Sequence, residues 1–396
     1  MPAERTGTKH LVRLEDLPKR LPTKENRHFL VPKLARRSAT PGFLRVPDGY
    51  SISLFAEGLT NPRNLTVAEN GDVFVVESRL EMAGPRLAPD RVTLLRDADG
   101  DGVADLRSVF AKNLYLPYGI AINQGFLYVA NTDRIVRWPY RSGQLVAENP
   151  TETVLAGIPE RGYNQHWTRN LLFDPAGKTL YLTISSAENV AVEDSRRGTI
   201  CAFRLGPDGG PYGQGKIVAS GLRNAVGLAF DPHAHRLWAS VNERDYSGDA
   251  LVPDFFTRIR SGGFYGWPYF YLGKNVDRRV PARPDLAGRS LVPDLLFEAH
   301  SAPLGCTFWR GDAYVALHGS ANRIPRVGNT VVKIPFGPDG LPTGGYEDFV
   351  VGWVPDPSRA PVYGRPAALA VDRTGALLVA DDAGGRIWRV TARSGR

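Results

Sequence analysis

Cysteine is nearly missing from this chain: two residues in 396. Cys201 and Cys306 lie far apart, so a disulfide framework is excluded as the source of stability, and two buried thiols are the expected state, with a single bridge as the alternative. There is no Cys-x-x-Cys-His, which excludes a covalently attached haem. Long apolar runs are missing too. Nothing approaches the ~18–20 residues of a membrane-crossing helix. No long stretch repeats apolar residues at helical spacing, which argues against a helical domain. Charge does not gather in blocks of one sign. The net charge is +8, but the basic residues, mostly arginine, are scattered. A nucleic-acid surface would show a basic stripe with interleaved aromatics, and none is visible. Arginines placed in loops suit a small anionic ligand better.

Residues 1–44 lack the apolar core of a secretory signal. They are basic, proline-rich and poor in aromatics, and are expected to form an arm along the outside of the domain. The expectation is a cytoplasmic chain, or one from which an export signal has been removed.

Glycine and proline are abundant, 42 and 31 residues, as many tight turns require. Between them a unit recurs six times: NPRNLTVAENGDVFVVES (61–78), LPYGIAINQGFLYVANT (116–132), WTRNLLFDPAGKTLYLTISS (167–186), LRNAVGLAFDPHAHRLWASVNE (222–243), PLGCTFWRGDAYVALHG (303–319) and GRPAALAVDRTGALLVADD (364–382). Each copy is a polar loop, an apolar strand, a turn and a second apolar strand. The turns fall at Gly71, Gly125, Gly177, His235, Gly311 and Gly375, at steps of 54, 52, 58, 76 and 64 residues. Strand repeats at this period predict an all-β chain, a six-bladed β-propeller over 45–396 preceded by the arm. The longest step contains SGGFYGWPYFYLGKNVDRRVPARPDLAG (261–288), a loop long enough to suggest a wall or lid over a site.

The loop before each repeated hairpin reaches the same end of the ring, so polar groups should converge there. Copies one and two contribute little beyond Arg63, Asn64 and Tyr118. The later copies contribute His166, Trp167, Arg169, Arg223, Asn224, Glu243, Arg244, His300, Asn322, Arg323 and Arg365. Any one of these reads as a turn or capping residue. Loops at equivalent places in four copies read as a site.

YNQHWTRNLLF (163–173), SGLRNAVGLAF (220–230), VNERDYSGDALVPDFFT (241–257), GGFYGWPYFY (262–271), AHSAPLG (299–305), HGSANR (318–323) and GRPAALAVDRTGALLVADDAGGRIWRVT (364–391) together resemble the soluble quinoprotein sugar dehydrogenases, in particular their sorbosone-dehydrogenase-like branch. The resemblance spans roughly 45–392. It implies a propeller that binds pyrroloquinoline quinone (PQQ) and calcium, oxidises a sugar, sugar aldehyde or related alcohol, and passes electrons to an external acceptor. It implies work outside the cytoplasm. By the same resemblance His166 is the general base, and imidazole chemistry suits that role. Arg223 and Asn224 contact the quinone, with Arg223 stabilising charge that builds during reduction. Arg365 meets the cofactor carboxylates, and Asn322, Arg323 and Arg169 line the same pocket. His300 and Trp167 contact substrate. Calcium is held by the main chain at Glu243 and Arg244. The pattern departs at Ala321, where an aromatic is usual.

A second metal signal lies in DADGDGVAD (97–105). Asp97, Asp99, Asp101 and Asp105 copy the first part of a calcium loop, but Ser108 stands where its closing Glu would be. An Asp/Gly hairpin turn has the same spacing. Two other functions remain open: a calcium-dependent lactonase-like or quinone-independent enzyme, with Glu243, Asn224 and Asn164 around the metal, or a binding module without catalysis.

Overall fold

The six repeated hairpins are the two inner strands of six antiparallel sheets arranged round one axis. The computed structural model describes residues 5–22, 29–35, 41–78, 89–148, 150–160 and 166–393. Among these there is no α-helix. The innermost strands are Pro62–Val67, Gly119–Asn123, Leu171–Phe173, Asn224–Phe230, Pro303–Trp309 and Pro366–Val371. Each packs against the next, and the last packs against the first, so the ring closes. Inner strands are covered on both faces and read as apolar runs. Val73–Glu77 is wholly buried. The outermost strand of the same blade, Leu106–Ala111, exposes part of one face and alternates accordingly.

The six turn positions share one backbone state. Gly71, Gly125, Gly177, Gly311 and Gly375 have φ of +93°, +77°, +65°, +92° and +83°, and His235 holds +52°. Glycine enters this left-handed region without the Cβ clash that other residues meet, which explains the recurring residue type.

Closure was not legible in the repeat. The sixth blade takes its outermost strand from the other end of the propeller: Tyr50–Ala56 pairs antiparallel with Arg386–Ala392. The two ends of the propeller are thereby tied by main-chain hydrogen bonds.

Glycine also sets how tightly the ring packs. A Cβ on Gly305 would stand 2.6 Å from Ala368 Cα and 3.0 Å from Ala367 O. These atoms are backbone of the adjoining blade and cannot swing aside. Gly305→Ala is therefore expected to destabilise the protein by about 1–3 kcal/mol, read as a lowered Tm. A melting point equal to the parent's would contradict this packing.

The arm is fastened to the ring. Lys9–His10 pairs with Tyr346 and Glu347 at the edge of blade five. Val12, Leu17 and Leu21 pack on the apolar core of blade four and its insertion. Lys33–Leu34 pairs parallel with Pro361–Val362. The insertion at 261–288 is a wall and not a lid. Gly263–Phe264 adds a fifth strand to blade three, and Tyr265, Trp267, Phe270, Tyr271 and Leu272 are buried. Both thiols are free and buried.

Candidate active site

In an antiparallel blade the loop before the first strand and the loop after the second open on the same end. That is where the polar groups gather. Beneath them the axis is blocked. Leu116, Tyr118, Trp167, Val226, Leu304 and Ala367, from five blades, form one apolar cluster. Asn64 donates to Asn170 Oδ1 (3.3 Å), and Asn170 donates to the Val226 carbonyl (2.8 Å). The site is thus a closed funnel, not a channel.

His166 precedes the inner strand of blade three and is buried. Its Nδ1 lies 2.8 Å from Ser186 Oγ, and that hydroxyl donates its own hydrogen to the Glu188 carbonyl at 2.9 Å. Ser186 can therefore only accept from the ring, so Nδ1 carries the proton and Nε2 carries the lone pair. Burial, then the charge of Arg223, holds the imidazolium well below its ordinary range, and the ring is neutral at pH 7.

Arg223 is buried and anchored on three sides. Its Nε donates to the Asn189 carbonyl (3.1 Å), and its Nη2 to Asn189 Oδ1 (2.9 Å) and Asp245 Oδ2 (2.8 Å). Its Nη1 donates to the Glu243 carbonyl. Asp245 also accepts from Asn322 Nδ2 at 2.6 Å and lies 3.9 Å from His300 Nδ1. His300 donates through Nε2 to the Gly248 carbonyl (2.8 Å), and burial lowers its pKa. Below them Asp254 accepts from the backbone N–H groups of Glu243 (2.7 Å) and Ala302 (2.8 Å), joining the loops of blades four and five. Burial pushes its carboxyl up to about 7.

The opposite wall comes from blades one, five and six. Arg63 pairs with Asp382, and both are buried. The Arg63 guanidinium sits over Trp167, 5.6 Å from the ring centroid. His318 Nε2 lies 2.9 and 3.0 Å from the Asp382 oxygens. Burial, then Arg365, pushes His318 down to about 4, so it is neutral. Asp382 stays ionised: its surrounding cations outweigh its burial and hold it below the ordinary range. Arg365 donates to the His318 and Gly319 carbonyls (2.9 and 2.6 Å). It forms no ion pair among the described residues, and burial lowers it to about 10.

The structure therefore brings His166, Arg223, Asn224, His300, Asn322 and Arg365 to one end. It sends the other expected groups elsewhere. Arg169 turns to main chain, donating to the His166, Thr168 and Pro159 carbonyls. Burial lowers it to about 9. Arg323 reaches away to Glu298 Oε1 (3.0 Å) and the Ala299 carbonyl. Trp167 lies in the apolar plug. Glu243 turns its carboxylate to Arg244 (2.6 Å), and Arg244 is fully buried against Asp277 and the insertion. Asn164 lies outside the described residues. Asp97, Asp99 and Asp105 bring carboxylates within 4.8 Å of one another, without Asp101. They bond backbone N–H groups of their own turn, between the third and fourth strands of blade one and hence at the opposite end of the ring.

Asp245, Asn189, His318 and Asp382 were not assigned roles from sequence. Asp382 and His318 each end a repeated hairpin, and the repeat already places that end of the hairpin at the axis. Asn189 lies after a repeat and carries no such signal.

Two buried acceptors or donors at this end, Asn224 Oδ1 and Tyr118 Oη, have no protein partner among the described residues. Arg365, which forms no ion pair among the described residues, and the Tyr118 hydroxyl fit an anionic occupant such as a cofactor with several carboxylates, whereas Asn224 Oδ1 is an acceptor and needs a donor. The Glu243 loop fits calcium less well. The Glu243 carbonyl faces a guanidinium, and the Glu243 carboxylate is taken by Arg244.

A closed funnel of arginines and neutral histidines at the loop end of a six-bladed propeller defines the class of protein. The family follows from comparison: the TrAA12-like family model matches residues 44–250 and 286–393, and the chain belongs to that family. A PQQ-dependent pyranose dehydrogenase of Coprinopsis cinerea is 25% identical over 339 residues, 74% of this chain and 45% of that one. A PQQ-dependent sugar dehydrogenase of Hypocrea jecorina is 24% identical over 398 residues, 86% and 87% of the two chains. The Trichoderma reesei family AA12 enzyme, in a structure described as a calcium structure, superposes with a TM-score of 0.76 at 22% identity, covering 88% of this chain and 97% of that one. No helix among the described residues is long and apolar enough to cross a membrane.

Proposed function

We propose that this protein is a dehydrogenase that oxidises a hydroxyl of a pyranose, or a related alcohol or sugar aldehyde, with PQQ. The observation that carries the reading is a buried, neutral His166 whose proton is fixed on Nδ1, beside buried arginines at the closed end of the funnel. The relatives named above support it. When bound, PQQ supplies the two-electron acceptor. Arg365, Asn224 and Arg223 would hold it. His166 Nε2 takes the substrate's hydroxyl proton. Arg223, clamped by Asp245 and Asn189, keeps positive charge where negative charge develops. The plug below excludes water. Reducing equivalents then pass to an external acceptor. No step is routed through calcium.

Titration of the purified protein with PQQ, with and without calcium, tests this. The expected result is a bound quinone absorbance that glucose bleaches. A protein that binds no PQQ under either condition overturns the reading.

A further inference from the structure

The arm does not stop at the outside of the propeller. It returns to the rim of the funnel, where the Leu30 N–H donates to the Ala321 carbonyl (2.7 Å) and the Leu30 carbonyl accepts from the buried Arg326 (2.8 Å). Phe29 packs edge-on against Tyr246, ring centroids 5.9 Å apart. These contacts make a closed circuit. Tyr246 follows Asp245; Asp245 accepts from Asn322; Asn322 follows Ala321; and Ala321 holds the residue after Phe29. An aromatic from the arm is thus locked to the carboxylate that clamps Arg223.

Two features of this edge bear on a ligand. Phe29 leaves 54% of its surface exposed although it is held by its neighbours. Tyr246 has φ +64°, a state that bulky residues rarely adopt. The exposed part of Phe29, beside the loops that carry Asp245 and Asn322, offers apolar surface to the C–H side of a sugar ring.

We propose that Phe29 and Tyr246 form an outer saccharide subsite, built jointly by arm and propeller, which takes the next unit of an oligosaccharide whose terminal unit enters the funnel. The proposal rests on the sugar-oxidising reading above for its ligand class. It accounts for why the arm is pinned at Leu30.

Calorimetric titration of the full chain, without added PQQ, with glucose, cellotriose and maltotriose tests it. One trisaccharide is expected to bind more tightly than glucose. Phe29→Ala should weaken that trisaccharide about five- to tenfold and change glucose by less than about twofold, while Phe29→Trp restores it. The side chain is exposed, so an unchanged far-UV spectrum and Tm check that the variant folds. Equal affinities for glucose and both trisaccharides, or a Phe29→Ala variant that binds like the parent, overturn the subsite. A protein that binds no PQQ yet loses trisaccharide affinity on Phe29→Ala keeps the subsite and loses the dehydrogenase reading. The two failures are therefore separable.

Discussion

His166→Ala is expected to lower kcat by about 10²–10⁴-fold while leaving PQQ affinity within about twofold. In the proposed function Arg365, Asn224 and Arg223 bind the cofactor and His166, oriented by Ser186, takes the proton, so loss of His166 removes a base and not a cofactor anchor. The same geometry sets the pH dependence. Burial and Arg223 hold the His166 pKa below 6.5, so the neutral, proton-accepting ring is present through neutral pH. Activity limited by this base should fall only as acid protonates it, at pH values below 6.5. Ser186→Ala leaves the imidazole in place but frees its tautomer, and should lower kcat more than it raises KM. Stopped-flow reduction of the bound quinone, with a parallel equilibrium titration, separates the two quantities. If His166→Ala reduces the quinone at the parent's rate, His166 is not the base.

Asp382→Ala should be the most destabilising change at the site, by about 3–5 kcal/mol. Asp382 is the carboxylate shared by Arg63 and His318, and its side chain is 3% exposed. Truncation leaves Arg63 buried without its counter-ion, next to a second buried cation, Arg365. At about 2 °C per kcal/mol for a large domain, Tm should fall roughly 6–10 °C. The double variant Arg63→Met with Asp382→Ala removes both charges and should recover part of that loss, because an absent pair costs less than a broken one. Thermal melts of the parent, both single variants and the double variant complete the cycle. A single variant melting within about 2 °C of the parent would show that Arg63 finds another partner or water.

Much of the architecture was legible because it repeats. Alternation, Gly turns and polar loop signatures recur six times, so local errors average out, and the turn positions chosen from sequence all carry positive φ. Membership in a quinoprotein-like family was legible from long loop segments. The direction of individual long side chains was not. Arg323 was expected in the pocket and instead reaches Glu298. The side chains of Glu243 and Arg244, whose main chain was expected at a metal, pair with each other and with Asp277. An arginine can swing through several ångströms, and which carboxylate it meets depends on strands remote in sequence. Asp277, 33 residues beyond Arg244, comes from the insertion.

The sequence by itself determined the ring, the end of the ring that bears function, and the lopsided supply of His, Arg and Asn from the later repeats. These are properties of a local pattern with a fixed period. Tertiary structure alone decided how the ring closes, with Tyr50–Ala56 completing the last blade. It decided which cations meet carboxylates and which, like Arg365 among the described residues, meet main-chain carbonyls. It also brought the arm back to the rim at Leu30. Each of these rests on contacts between residues tens to hundreds of positions apart. No periodicity encodes such contacts; only the packed chain selects among them.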